Sequence, residues 1–194
     1  MQKVAVLLAE GFADWEYALI GGTGGPFYGL EIQYVTLGAA QLTSQGGMQV
    51  RVAKTRADMA EMQPGVIVVI GGMIWETDRA PDITDMLRQH HQSGGTVAGI
   101  CGGTLALARA GLLDDHAHTS NDAAFLPAHA PGYKGQGRYQ AQAAAIQDGR
   151  VITAPGTAPV SFTAEVFRTA GLGAEPAAQF KAMLAAEHQF AEPA

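Results

Sequence analysis

The stretch Thr96-Val-Ala-Gly-Ile-Cys-Gly-Gly-Thr-Leu-Ala-Leu107 decides how this chain is read. Thr96–Ile100 is a short apolar run of the kind that forms a strand covered on both faces. Gly102–Ala110, which ends at Gly111, has a helical pattern. Between them stands Cys101, with Gly99 and Gly103 two positions either side. This is the G-x-C-x-G form of the nucleophile-elbow spacing. Its origin is steric: a residue at a sharp strand-to-helix turn has strained dihedrals and needs small neighbours. Such a turn lifts the side chain above the carboxyl edge of the sheet, where open α/β sheets bind ligands.

Outward from this elbow the alternation repeats. Lys3–Ala9, Glu31–Leu37, Val66–Ile70 and Arg150–Thr153 read as further strands. Helices are expected at Asp14–Ile20, at Asp82–Gln92 between Pro81 and Gly94, at Ala158–Ala170 and at Glu175–Glu187. Asp14 is the candidate N-cap of the first. Strand–helix–strand order predicts an α/β, doubly wound, mostly parallel sheet with helices on both faces. Two stretches depart from it. Leu42–Ala53, with Gly46-Gly47 inside, and Tyr139–Ala145 paired with Val151–Thr153 across Asp148-Gly149, read as added β-hairpins. The tail after Gln189 is expected to be loose.

The chain has 194 residues, 47% hydrophobic and 15% charged, which suits one domain with a full core and excludes intrinsic disorder. No apolar run approaches the ~18–20 residues of a membrane span. Glu10, Asp14 and Glu16 follow the apolar start too closely for a signal peptide. Twelve basic and eighteen acidic residues give −6, against a nucleic-acid surface. Cys101 is the only cysteine, so an internal disulfide and a cysteine-cluster zinc site are excluded, and a reducing cytoplasm is the expected location.

Several residues are candidates for chemistry. A lone cysteine is ordinarily a small buried core residue; the elbow context predicts a reactive thiol instead. Amide dipoles at the helix N-terminus should hold its pKa below the free value of ~8.5. Backbone N–H groups at Gly71-Gly72, with that of Gly102, are candidate oxyanion donors. Trp75 and Glu76 lie just beyond, at a site wall or on a surface loop. His116-x-His118 lacks a nearby third ligand, and no metal or cofactor is expected. Gly21-Gly22-Thr23-Gly24-Gly25 lacks the G-K-[ST] of a phosphate loop and reads as a flexible connection after the first helix.

The segment Gly99–Leu107 resembles the active elbow of the ThiJ/PfpI superfamily, also described as class I glutamine amidotransferase-like. The resemblance extends over almost the whole chain, 1–194 as one domain of that type. It is carried by Ala5–Glu16 with Gly-Phe-Ala-Asp-Trp-Glu, Val66–Gly72, Gly111–Asn121 with His-Thr-Ser-Asn, and Ile152–Phe162. It implies a flavodoxin-like version of the sheet and a homodimer. It puts Glu16 where a carboxylic acid approaches the cysteine sulfur, protonated by the like charge and donating to it. It also marks a departure. The family's histidine either follows the cysteine, where this chain has Gly102, or lies after a short strand, where it has Asn121, its only asparagine. Asparagine orients but cannot accept a proton as a base. His118 is the nearest substitute, but in an extended segment it faces the other side from Asn121.

The expected function is therefore a cysteine-dependent hydrolase of deglycase, glyoxalase, amidase or peptidase type acting on a small carbonyl or peptide substrate. The alternative is a redox-sensing stress-response protein working through oxidation of Cys101.

Overall fold

The computed structural model describes residues 2–186. Nine strands and seven α-helices alternate along them. The strands are β1 (Val4–Leu8), β2 (Ile32–Thr36), β3 (Gln41–Thr43), β4 (Gln49–Arg51), β5 (Lys54–Thr55), β6 (Val66–Val69), β7 (Thr96–Ile100), β8 (Ile146–Asp148) and β9 (Val151–Ala154). The helices are α1 (Asp14–Tyr28), α2 (Met59–Met62), α3 (Thr84–Gln92), α4 (Gly103–Arg109), α5 (Phe125–His129), α6 (Pro159–Phe167) and α7 (Ala174–Ala185).

Seven strands form one sheet in the order β5-β2-β1-β6-β7-β9-β8, parallel except where β8 runs against β9. The flavodoxin-like doubly wound arrangement is thus present. Because side chains alternate across a strand, β1 feeds two cores. Val4, Val6 and Leu8 meet Ile20, Phe162 and Phe167 on one face. Ala5 and Leu7 meet Leu87, Leu105 and Trp75 on the other. Burial on both faces explains the unbroken β-branched runs. The order of connection reverses between β1 and β6, and such a switch point opens a crevice at the carboxyl ends of the strands.

Three local expectations need correction. The glycine run at 21–25 is helical, because α1 continues to Tyr28. A Cβ on Gly21 would overlap the Tyr34 hydroxyl, and one on Gly24 would lie 3.1 Å from both Ile32 and Phe167. The glycines bring α1 against β2 and α6, and that packing overrides their poor helix propensity. Second, Asp14 does not cap α1. Ala13 holds the N-cap position, while Asp14 Oδ2 accepts the Gly46 N–H at 2.7 Å and ties the β3–β4 hairpin to the helix. Third, the arm pairing with Val151–Thr153 is Ile146–Asp148, not Tyr139–Ala145. Asp148 pairs with Val151 across a two-residue turn, and a turn that tight admits only the residues immediately before it. Tyr139 makes only an isolated bridge to His118. Glu187, the expected end of the last helix, and the tail after Gln189 lie outside the described residues.

Candidate active site

The carboxyl ends of β1, β6, β7 and β9 deliver the candidate residues to one place. Cys101 follows β7 directly with φ 53°, a left-handed conformation that costs a side-chain-bearing residue energy. The turn is held by the Cys101 N–H on the Ala154 carbonyl at 3.0 Å and the Thr104 hydroxyl on the Cys101 carbonyl at 2.6 Å. Glu16 comes from the first turn of α1, after β1, and is fully buried. Its Oε2 accepts the Gly71 N–H at 2.6 Å, from the loop after β6. Its Oε1 is buried with no hydrogen bond in place; the Cys101 thiol beside it acts on the carboxyl without completing one.

Asn121 closes the site from the opposite side. Its Nδ2 donates to the Cys101 sulfur at 3.3 Å and its Oδ1 accepts the Gly156 N–H at 3.0 Å. The other end of Gly156 is also fixed, since the Trp15 indole N–H donates to its carbonyl at 2.9 Å. The sulfur opens into a shallow cavity of about 620 Å³, lined by Trp15, Asn121, Pro155, Gly156, Thr157 and Pro159. Among the described residues, no histidine lines it.

The electrostatics run against the expected low thiol pKa. Burial pushes the Glu16 carboxyl up to about 7, opposed by its contacts with Gly71 and Cys101. Burial first, and the Glu16 charge second, push the Cys101 thiol up to about 11, while N–H groups of Asn121 and Gly102 pull it down. The dipole of the seven-residue α4 is outweighed because sulfur and carboxyl share a desolvated space. A carboxyl near 7 is ionised about half the time at neutral pH, and in that form it repels a thiolate.

The other candidates fall in different places. His118 is buried away from the cysteine: Nδ1 bonds the His116 carbonyl at 2.7 Å and Nε2 meets the Tyr133 hydroxyl. A proton on Nδ1 donates to that carbonyl and leaves Nε2 to accept from tyrosine, so the ring is a neutral structural link. Trp75 is also buried, its indole N–H on the Ile70 carbonyl at 2.9 Å; it lines another cavity and no wall of this one. Gly72 and Gly102 abut behind the elbow, where a Cβ on Gly102 would lie 2.7 Å from the Gly72 carbonyl oxygen. Neither lines the cavity, although the Gly102 N–H acts on the sulfur. Trp15 and Gly156 were missed from sequence. The available signal was adjacency: Trp15 precedes Glu16 in a helix, so when one faces inward the other, about 100° round, faces the mouth.

No group of three or more metal-ligating side chains occurs among the described residues, and no described helix is long and apolar enough to cross a membrane.

The sheet, the elbow and the acid define an α/β protein built around a cysteine at a strand-to-helix turn. The chain belongs to the DJ-1/PfpI family, whose pattern matches residues 2–169. A solved DJ-1 superfamily protein from Agrobacterium tumefaciens, Atu0886, is 37% identical, with a TM-score of 0.89 over 97% of this chain and 100% of that one. A thiJ/pfpI family protein from Bacillus anthracis is 29% identical, with a TM-score of 0.76 over 87% of this chain and 82% of its own. A Bacillus subtilis protein named "Uncharacterized protease YoaZ" is 29% identical over 174 residues, 86% of this chain and 82% of that protein.

Proposed function

We propose that the chain is a cysteine-dependent hydrolase, of deglycase, glyoxalase, amidase or peptidase type, acting on a small carbonyl substrate with Cys101 as nucleophile. The observation that carries this reading is the contact between the elbow cysteine and a carboxyl raised to about 7. A proton-transfer group is most effective when its pKa lies near the working pH. Ionised Glu16 takes the thiol proton as sulfur bonds to the carbonyl carbon and the C=O electron pair moves to oxygen. The Gly102 amide, which acts on the sulfur, is the proposed donor to that oxygen; the Gly72 amide, set behind the elbow, is not. Glu16 then returns the proton to the leaving group, and a water that gives a proton to Glu16 cleaves the resulting thioester, releasing the acid and restoring the thiol; where nothing leaves, the proton goes to the alkoxide. Asn121 orients the sulfur but takes no proton. A methylglyoxal, aminopeptidase and amidase screen tests this: turnover is expected in at least one arm and is lost in Cys101→Ser. Equal rates in both proteins would refute it.

A second reading has its own support. The raised thiol slows attack at neutral pH, while the Asn121 N–H and the unpartnered Glu16 Oε1, when it carries the carboxyl proton, can donate to oxygens on an oxidised sulfur. A redox-responsive protein would take up two oxygens at Cys101 under mild peroxide, read by intact mass, with no turnover in the screen. A homodimer belongs to the same proposal. Exposed Trp15, Phe27, Met48, Met73 and Met183 offer apolar surface for it, and light scattering at micromolar concentration reads it.

A further inference from the structure

A second cavity, of about 520 Å³, shares no lining residue with the one at Cys101. It is bordered by Arg109, the last residue of α4, by His129 of α5, and by Trp75, Glu76, Asp78 and Asp82. The Arg109 guanidinium is partly buried. One nitrogen, Nη2, donates to the Trp75 carbonyl at 2.6 Å and to the His129 carbonyl at 2.8 Å. A guanidinium has five N–H groups. The Nε–H and both Nη1–H groups have no acceptor among the described residues, and no carboxylate forms an ion pair with this arginine.

Neither Nε nor Nη1 is among the buried atoms left without a partner, so these three N–H groups are open to solvent, where an anion entering the cavity can reach them. None of the cavity's own acids pairs with Arg109. Glu76 stands 3.9 Å from His129. Asp82 accepts the Thr84 N–H at 3.0 Å and lies in the field of Arg56 and Arg88. Asp78 makes no side-chain bond among the described residues and is exposed. A phosphate or dicarboxylate would suffer from three carboxylates around one space. A ligand carrying one carboxylate and one ammonium would not. The remaining walls are Thr77 and Thr84 together with alanine, proline and isoleucine side chains, and the latter leave room for a short apolar group.

We propose that this cavity binds a free amino acid with a short apolar side chain, its carboxylate on the unused Arg109 donors and its ammonium toward Asp78 and Glu76. The site stands apart from the cysteine chemistry, yet it has a built-in reporter. Trp75 borders the cavity, offers its carbonyl to Arg109, and packs at the elbow, where a Cβ on Gly102 would lie 3.1 Å from its ring.

The chain has two tryptophans, so Trp15→Phe leaves Trp75 as the only fluorophore of its kind. The probe is L-leucine, compared with isocaproate, which lacks the amine, and isoamylamine, which lacks the carboxylate. Calorimetry on the unsubstituted chain reads any binding that leaves fluorescence unchanged. Leucine is expected to bind saturably and about tenfold tighter than either analogue. Arg109→Gln removes the charge, and its shorter side chain also gives up the bonds to the Trp75 and His129 carbonyls; it is expected to weaken leucine about tenfold, with urea melts confirming that the fold is retained. Cys101→Ser is expected to bind leucine as the parent does, so loss of the proposed hydrolase activity leaves this result untouched. No saturable binding of leucine by either method overturns the proposal. So does equal affinity for isocaproate, or an Arg109→Gln chain that binds undiminished.

Discussion

Replacing Glu16 by glutamine isolates the charge that sits beside the cysteine. From an ordinary 9.0 the thiol is pushed up to about 11, so at a given pH its thiolate is about a hundredfold scarcer than in an unperturbed thiol. Burial is the larger cause and survives the substitution; the Glu16 charge is the second and does not. Recovering the second alone should raise the thiolate fraction on the order of tenfold between pH 7.5 and 9, where the native carboxyl is ionised. The glutamine keeps the side chain's shape, and its amide oxygen can still accept the Gly71 N–H. The assay is iodoacetamide alkylation across pH, followed by intact mass, with Cys101→Ser as blank. The rate for Glu16→Gln should exceed that of the native chain most clearly above pH 7 and converge with it below, where Glu16 itself takes up a proton. Identical profiles, or slower alkylation in Glu16→Gln at pH 8, would show that the carboxyl does not repel the thiolate and that burial alone sets its pKa.

Gly21→Ala is expected to destabilise the chain by about 1–3 kcal/mol, because the new methyl group overlaps the Tyr34 hydroxyl, and Tyr34→Phe should recover part of that in urea melts. Asn121→His replaces a residue that is exposed but bonded to both sulfur and Gly156; it is expected to fold and to raise hydrolytic turnover over the parent, with the gain abolished by Cys101→Ser. His118, its pKa lowered from 6.5 chiefly by burial, is neutral in the fold, so its stabilisation is present above 6.5 and is lost as pH falls toward the lower folded value. Glu16 acts with the opposite sign, losing stabilisation as pH rises through about 7. The His118 slope is therefore read from urea midpoints as the difference between Glu16→Gln and the Glu16→Gln/His118→Gln double variant, and an equal slope in the two would remove His118 from acid lability.

What was legible in the sequence was whatever depends on local chain chemistry. The buried runs of β1, β6 and β7 are continuous because both faces are covered, and Gly99 and Gly103 announce the turn because no larger residue fits there. Three-dimensional approach was not legible. The glycines at 21–25 look like a loop until Tyr34 and Phe167 are known to press on them. Trp75 looks like a site wall until its indole is found on the Ile70 carbonyl. The thiol's acidity was misjudged for the same reason. A helix N-terminus can be recognised from neighbouring residues, whereas desolvation by four strand ends cannot.

The glycine at 71 shows how the acid, rather than a histidine, comes to lie beside the sulfur. A Cβ on Gly71 would lie 2.7 Å from both the Cys101 Cβ and Glu16 Oε2, and one on Gly156 would lie 3.0 Å from the sulfur. Sulfur and carboxyl thus occupy a slot walled by bare backbone on two strand ends. Asn121 fits the open side because its two polar atoms diverge from one carbon: the oxygen takes the Gly156 N–H while the nitrogen gives to sulfur. A histidine acting as base toward the thiol must present an unprotonated nitrogen to it. Its other nitrogen then carries the proton and cannot accept from Gly156. The present geometry therefore trades a base on the outer side for a fixed Gly156 peptide. In the proposed reaction proton transfer then falls to Glu16, whose burial raises its pKa into the range where that transfer is possible at neutral pH.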